Sequence, residues 1–214
     1  MIEVAMAGLS LALYGVGVVV AFGLRTVVHR RATGDSGLRR PQARPGEAAW
    51  WSQLLFGVAL VGGLASPLTV LIGLVAPTVE HPLLNGAGIA VAMAGFALVV
   101  VSQTHMGASW RIGVEASERT ELVTSGVFAQ ARNPIFTGMV AALWGLWAIA
   151  PAWPGLVAAV AMMIAVQLQV RQVEEPYLLA THGAAYRAYA ARVGRFVPGL
   201  GRLQPPPARS QAQS

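Results

Sequence analysis

Five long apolar runs constrain this chain more than any other feature of its sequence. They cover residues 4–24, 50–76, 86–106, 134–150 and 155–173 of 214. A helix needs roughly 20 apolar residues to cross the hydrocarbon core of a bilayer, and only the fourth run lies near the short limit of that range. We therefore predict an all-α, polytopic membrane protein with about five transmembrane helices.

Composition agrees with a chain whose solvent is largely lipid, because 55% of its residues are hydrophobic and only 11% are charged. The absence of cysteine excludes disulfides, thiolate metal sites and cysteine nucleophiles. The four histidines are not paired at metal-ligand spacing, which argues against a metal centre. The arginines lie between apolar runs without an aromatic platform, so we do not expect nucleic-acid binding.

The arginines set the expected orientation. All fifteen lie between the first and second runs, between the third and fourth, or from the end of the fifth run onward. The other segments, which are the N-terminus, residues 76–85 and residues 151–154, contain none. Because basic residues stay on the cytosolic side, we predict an external N-terminus and a cytosolic C-terminus in a bacterial-type inner or plasma membrane. Residues 25–49 are interpreted as a basic, solvated connector.

Small residues and prolines organise the last two runs. Gly138, Ala141, Ala142 and Gly145 on the fourth run suit close helix packing. Residues 151–154, with a proline at each end, separate the two runs and predict a tight helical hairpin. The tail at residues 199–214, rich in proline, serine and glutamine, is predicted to be disordered.

Polar residues at the end of the fifth run are the first candidates for chemistry, since such groups are costly in a membrane. Four of them have the spacing of one face of a continuous helix: Gln167, Arg171, Glu174 and Glu175. This pattern fits an ion pair between the arginine and the glutamates, or a polar wall that faces a charged ligand. The spacing alone does not decide between the two.

A helix is also predicted after the fifth run. Pro176 can occupy the first turn of a new or resumed helix, and Tyr186 and Tyr189 follow at roughly helical spacing. Such tyrosines are either interfacial anchors or ligand contacts, and anchors are the commoner case. The sequence therefore predicts an amphipathic C-terminal helix on the cytosolic side.

The loop before the fourth run carries a second candidate group. Ser125 and Gly126 predict a turn, and Asn133 followed by Pro134 predicts a helix start. Arg132 then lies beside a helix N-terminus, where backbone N–H groups and a guanidinium can together bind a carboxylate or a phosphate. The alternative is that Arg132 only anchors its helix on the cytosolic side.

These two segments carry motifs that are recognisable together. Residues 122–138 read LVTSGVFAQARNPIFTG, and residues 171–175 read RQVEE, followed by GAAYRAYAARVGRFVP at 183–198. The first resembles L-x-T-x-G-P-Y/F with R-H/N-P-x-Y/F-x-G, and the second resembles R-x-x-E-E with G-x-x-Y-x-x-Y and V-x-R-F-x-P. Both patterns are those of the isoprenylcysteine carboxyl methyltransferase and phospholipid methyltransferase families. The resemblance covers about residues 103–198.

The resemblance implies an integral membrane methyltransferase that uses S-adenosylmethionine near the cytosolic ends of the last two helices. Positions that match the cofactor pocket are Arg132, Asn133, Pro134, Gly138, Glu174, Glu175, Tyr186 and Tyr189. Expected catalytic positions are Glu175, Asn133 and Arg171, the last at a substrate entrance where it could meet an acceptor carboxylate. The chain then divides into three N-terminal helices (1–106), a methyltransferase-like region (107–198) and the tail (199–214).

Asn133 is a departure from the family pattern, which often has histidine at this position. An amide cannot act as a base at neutral pH, whereas a protonated amine or thiol must lose a proton before or during transfer. Asn133 therefore favours a carboxylate acceptor, or leaves His105 or His182 to assist. We expect a small amphiphilic or lipid acceptor from the membrane and no required protein partner. A membrane reductase with a nicotinamide cofactor and a non-catalytic scaffold are the alternatives.

Overall fold

The computed structural model describes residues 1–35, 43–79, 81–107 and 122–204. The helices in these ranges are α1 (Ile2–Val18), α2 (Arg25–Thr33), α3 (Ala48–Leu71), α4 (Pro82–Met106), α5 (Pro134–Ile149), α6 (Trp153–Leu168) and α7 (Glu175–Arg192). Two π-helical segments, Val19–Leu24 and Gln169–Glu174, join α1 to α2 and α6 to α7. The described ranges contain no strand beyond one isolated bridge, which confirms the all-α prediction.

Membrane-spanning length is reached by four helical stretches of the described ranges: Ile2–Thr33, Ala48–Leu71, Pro82–Met106 and Trp153–Arg192. The fourth predicted run forms the shorter helix α5, whose 16 residues extend about 24 Å at 1.5 Å per residue. A hydrocarbon core is about 30 Å thick, so α5 is too short to cross it at full thickness. The polytopic architecture is confirmed, and a fifth crossing by α5 stays a prediction.

The first helix runs further than its apolar pattern indicates. Residues 25–33 continue it as α2, so the prediction of a connector is wrong for this stretch. Gly34, with φ of 78°, ends the helix by donating its N–H to the carbonyl oxygen of Arg30 at 2.9 Å. The apolar pattern ends at Arg25 and so does not show where the helix ends, because helical hydrogen bonding does not require apolar side chains.

Glycines bring α4 and α5 to backbone contact. A Cβ atom on Gly138 would lie 2.6 Å from the carbonyl oxygen of Gly95, and one on Gly145 would lie 2.7 Å from that of Gly88. Such distances leave room for a hydrogen atom only. The packing role predicted for Gly138 and Gly145 is confirmed, and Ala142 is buried on the same helix.

The rest of the core joins α1, α3 and α6. Ser52 of α3 donates its hydroxyl to the carbonyl oxygen of Ala165 in α6 at 3.0 Å. The Tyr14 hydroxyl of α1 donates to the carbonyl oxygen of Leu60 in α3. The largest cluster of buried side chains includes Tyr14, Ala59, Ala92, Leu143, Leu146, Ile149, Met162 and Val166.

Contacts between helix ends show which ends lie together. The Arg25 guanidinium, after α1, donates to the carbonyl oxygen of Gly107 after α4 at 2.7 Å. At the other end, the Thr78 hydroxyl donates at 2.9 Å to the carbonyl oxygen of Pro151, in the short α5–α6 turn that confirms the predicted hairpin. The described arginines all lie at or beyond the helix ends that the Arg25–Gly107 contact brings together. The arginines outside the described residues are Arg39, Arg40, Arg111, Arg119 and Arg209.

Candidate active site

The start of α5 is fastened to the segment that comes after α7. Ala131 forms a parallel bridge with Gly194. The backbone N–H of Arg132 donates to the carbonyl oxygen of Gly194 at 2.9 Å, and that of Asn133 donates to the carbonyl oxygen of Arg195 at 3.0 Å. Two segments about 60 residues apart in sequence therefore hold each other at the arginine-rich end of the helices.

The Arg132 side chain lies inside this junction and is 1% exposed. One terminal nitrogen donates to the carbonyl oxygen of Ala190 at 2.9 Å, and the other donates to Glu175 Oε1 at 2.6 Å and to the carbonyl oxygen of Gly201 at 3.1 Å. The guanidinium carbon lies 5.9 Å from the centre of the Tyr186 ring. Its Nε is buried and has no hydrogen-bond partner within the described ranges.

Glu175 joins two arginines into a charged triad. Its Oε1 accepts from Arg132 and from Arg195 Nε at 2.8 Å, and its Oε2 accepts from an Arg195 terminal nitrogen at 2.9 Å. The hydrogen bond to Glu175 raises the pKa of Arg195 above its ordinary value, against the opposing effect of burial. The triad therefore holds two positive charges and one negative charge at the end of an apolar helix bundle.

The π-helical segment Gln169–Glu174 explains why Glu175 reaches this triad. Each π turn contains an additional residue, which rotates the residues after it relative to a continuous α-helix. Gln169 Nε2 accordingly donates to Glu174 Oε1 at 3.3 Å, five residues away, whereas Arg171 Nε donates to Gln167 Oε1 at 2.8 Å. Glu175 is buried and Arg171 is exposed, so the prediction that they share one face is wrong.

Tyr186 and Tyr189 of α7 are buried rather than interfacial. Tyr186 is 1% exposed and Tyr189 is 4% exposed, and their rings meet edge to face with centres 6.2 Å apart. The Tyr189 hydroxyl donates to the carbonyl oxygen of Phe128 at 2.6 Å, which ties α7 to the turn before α5. The interpretation as interfacial anchors is therefore wrong for both, since each lies against the charged triad or the loop that carries Arg132.

The remaining predicted positions on α5 lie at its start and along its packed face. The Asn133 side-chain amide donates to the carbonyl oxygen of Arg195 at 3.0 Å, the same oxygen that its backbone N–H contacts. Pro134 is the first residue of the helix and is buried. Gly138 lies one turn further and contacts α4 rather than the triad.

Residues 199–204 form the outer side of the site, so the predicted disorder is wrong for this part of the tail. The Arg195 N–H donates to the carbonyl oxygen of Leu200 at 2.7 Å, and the Leu203 N–H donates to that of Ala190 at 2.9 Å. These bonds fold the segment back onto α7 after a glycine-rich turn. The tail from residue 205 onward lies outside the described residues.

Arg195 is the member of the site to which sequence reasoning assigned no role. It lies 20 residues from Glu175, a separation that matches no single helix face, so periodicity could not connect the two. The arginine of the V-x-R-F-x-P motif was the available signal. Of the two histidines considered as assisting bases, His105 packs against Gly126 with its Nδ1 2.8 Å from the carbonyl oxygen of Val101, and His182 lies half-buried on α7.

Comparison with known proteins adds two findings. The sequence profile of the phospholipid methyltransferase family matches residues 83–185. The structure is similar to that of the eukaryotic intramembrane Ras methyltransferase ICMT (isoprenylcysteine carboxyl methyltransferase), with a TM-score of 0.62 and 18% identity over 95% of this chain and 70% of that one. This second likeness concerns the fold. A search of curated protein sequences gave no match. Neither finding supports the reductase or the scaffold alternative.

Proposed function

We propose that this chain transfers a methyl group from S-adenosylmethionine to a lipid or other amphiphilic acceptor. The proposal follows from its relation to the membrane methyltransferases of the phospholipid methyltransferase and isoprenylcysteine carboxyl methyltransferase families. The observation that carries the proposal is the buried Arg132–Glu175 pair at 2.6 Å. Both residues lie inside the family match, and they lie where apolar helices end.

The charges of the site fit this cofactor. S-adenosylmethionine carries a carboxylate, an ammonium and an adenosine, and therefore needs a cationic group, a carboxylate and apolar walls. The buried Nε of Arg132, which has no hydrogen-bond partner among the described residues, is a donor left for a ligand, because buried donors without an acceptor are costly. We assign the cofactor to Arg132, Asn133, Pro134, Glu174, Glu175, Tyr186 and Tyr189, with Gly138 supporting them by letting α5 approach α4.

The chemistry requires alignment and the exclusion of water more than acid or base groups. S-adenosylmethionine, when bound, supplies an electrophilic methyl group on a sulfonium centre. The buried tyrosines keep water from one side of the site, and the Arg195 junction fixes Asn133 at the start of α5. Since the Asn133 amide does not remove a proton at neutral pH, a carboxylate acceptor suits the site best.

Arg171 is proposed to meet the acceptor rather than the cofactor. Its side chain is exposed in the π-helical segment after α6 and donates to Gln167. It has no described contact with the triad. A guanidinium at this level of the membrane can pair with an anionic group of an amphiphile. Its role in catalysis would be to position the acceptor.

An apolar cavity inside the bundle supports an acceptor with a hydrocarbon part. It is lined by residues of five helices and of the first π-helical segment, including Tyr14, Phe22, Phe96, Met139 and Leu146. The Tyr14 hydroxyl is engaged with the carbonyl oxygen of Leu60, so the ring presents its apolar surface to the cavity. Lipid-soluble substrates are the class that such a lining favours.

The test is methyl transfer by purified protein from methyl-labelled S-adenosylmethionine. Three acceptors are offered in separate vesicle preparations: phosphatidylethanolamine, a fatty acid and a prenylated cysteine. We expect label in a lipid-soluble product, most with a carboxylate acceptor, and a loss of at least tenfold in the Arg132→Ala variant. Arg187→Ala, an exposed position on α7, is the matched control. Donor binding without transfer to any lipid extract would contradict the proposal.

The proposed orientation places the arginine-rich end, and with it the site, in the cytosol and the N-terminus outside. The one-sided arginines support it, because orientation follows basic residues near the ends of spans. The cysteine of an Ile2→Cys variant should react with an impermeant maleimide in intact cells, whereas that of an Arg202→Cys variant should react only after the membrane is broken. The reverse pattern would contradict this orientation.

A further inference from the structure

Arg132 and Arg195 both contact Glu175, but they differ in how firmly they are held. Arg132 is 1% exposed and also donates to two backbone carbonyl oxygens. Arg195 is 15% exposed, and the described contacts of its guanidinium nitrogens are to Glu175. Of the two guanidiniums, that of Arg195 can leave the carboxylate with fewer hydrogen bonds broken.

Separating Glu175 from Arg195 would leave Glu175 without a cation on one oxygen and Arg195 without a carboxylate. Glu175 would keep Arg132 on one oxygen and present its Oε2 to a new cation. Arg195 would present two N–H donors, on Nε and a terminal nitrogen, in the geometry that binds a carboxylate at two points. A ligand that carries an ammonium and a carboxylate on one carbon satisfies both groups at once, with no buried charge left unpaired.

The Arg195 backbone is fastened, so its side chain is the part that can separate from Glu175. The Arg195 N–H donates to the carbonyl oxygen of Leu200, and its carbonyl oxygen accepts from the backbone N–H and the side-chain amide of Asn133. The guanidinium makes its described hydrogen bonds to Glu175 alone, so a rotation within the Arg195 side chain releases the carboxylate. The junction with α5 and the contacts of Arg132 stay intact.

We propose that Glu175 and Arg195 form the receptor for the α-amino-acid end of the cofactor, Glu175 taking its ammonium and Arg195 its carboxylate. This inference rests on the proposed function, and it assigns the carboxylate to Arg195 instead of to Arg132. Arg132 then keeps its hydrogen bond to Glu175 Oε1 in both states and holds the carboxylate in place. In the ligand-free protein, the Arg195 guanidinium lies where the ligand's ammonium would bind Glu175, and the Glu175 carboxylate lies where the ligand's carboxylate would bind Arg195.

Two ligands separate this receptor from the rest of the cofactor site. S-adenosylhomocysteine carries the amino-acid end, and 5′-methylthioadenosine lacks it. Calorimetric titration in detergent of wild type should give an affinity for S-adenosylhomocysteine at least 100-fold higher than for 5′-methylthioadenosine. In Arg195→Ala the affinity for S-adenosylhomocysteine should fall at least 30-fold, while that for 5′-methylthioadenosine changes less than threefold. Arg192→Ala, exposed at the end of α7, should change neither.

The outcomes separate failure of the receptor from failure of the proposed function. Equal affinity of wild type and folded Arg195→Ala for S-adenosylhomocysteine, or equal losses for both ligands, would overturn the receptor and leave the proposed function intact. Binding of neither ligand to wild type would overturn both. If Arg195→Ala does not fold, Arg195→Lys decides. It keeps the charge but loses the two-point contact, and an unchanged ratio of the two affinities would overturn the inference.

Discussion

The body of α5 and its first turn illustrate two different ways of holding one helix in place. Along its body, Gly138 and Gly145 meet the backbone of α4, and the contact depends on the absence of side chains. At its start, Arg132 meets Glu175 and the segment after α7 through charged side chains and carbonyl oxygens. The first contact depends on the small volume of the glycines, and the second depends on charge.

This difference separates the part of the helix that places the site from the part that forms it. The glycine packing leaves no space for an added side chain, and it offers no charged group that could bind a ligand. A buried charged cluster is held only while its charges are balanced, and it can exchange one partner for another. Substitutions in the two regions should therefore have different signatures: loss of stability alone in the first, and loss of both stability and ligand binding in the second.

The largest effect is expected for Glu175→Ala. Removal of the carboxylate leaves two guanidiniums close together without their counter-ion, and we expect a loss of about 3–5 kcal/mol in the free energy of unfolding. Glu174→Ala is the control, because this neighbouring carboxylate is half-buried and lies outside the triad. Chemical unfolding in mixed micelles measures both. Equal stabilities of the two variants would show that the triad does not hold α5.

A somewhat smaller effect is expected for Gly145→Leu. The new side chain would enter the backbone of α4, where a Cβ atom alone would lie 2.7 Å from the Gly88 carbonyl oxygen, and we expect a loss of about 2–3 kcal/mol. Gly57→Leu is the matched control, since that glycine of α3 is exposed and no atom of the described residues lies within 4 Å of its Cβ position. Thermal unfolding would contradict the steric account if both variants melted together.

Tyr189→Phe tests the link between α7 and the loop that carries Arg132. It removes one buried hydrogen bond, to the carbonyl oxygen of Phe128, while the ring stays, and should cost about 1–2 kcal/mol. Tyr186→Phe should cost less, because the described residues offer its hydroxyl no hydrogen-bond partner. Chemical unfolding of the two single variants measures the difference. A larger loss in Tyr186→Phe would show that the link lies elsewhere.

The smallest effect on stability is expected for Arg171→Ala, which should stay within about 0.5 kcal/mol of wild type because the side chain is exposed. If Arg171 positions an anionic acceptor, the same variant should raise the acceptor KM about tenfold and leave the affinity for the methyl donor unchanged. Steady-state kinetics with each substrate varied in turn separates these values. A weakened affinity for the donor would place Arg171 inside the cofactor site instead.

The steric region could be predicted from sequence, and the charged region only in part. Small residues at Gly138, Ala142 and Gly145 repeat along one face of a single helix, so local spacing reveals the contact. Arg132, Glu175 and Arg195 come from three segments, and their meeting depends on tertiary contacts that no spacing encodes. Only the family motifs placed Arg132 and Glu175 in one site, and they gave Arg195 no role.

Hydrogen bonding that is independent of hydrophobicity caused the other errors. The π-helical segment Gln169–Glu174 rotates Glu175 away from Arg171, and an assumption of regular α-helix could not show this. Residues 25–33 stay helical after the apolar run ends. Residues 199–204 look disordered by composition but are held by backbone bonds to Arg195 and Ala190.

The proposed methyl transfer depends most directly on cofactor binding by the charged triad. Calorimetric titration of S-adenosylhomocysteine into wild type and Glu175→Gln, both in detergent below their melting temperatures, measures it. We predict one site per chain in wild type and an affinity at least tenfold lower in the variant, whose amide keeps the shape but not the charge of Glu175. Equal affinities in the two folded proteins, or no binding to wild type, would contradict the account.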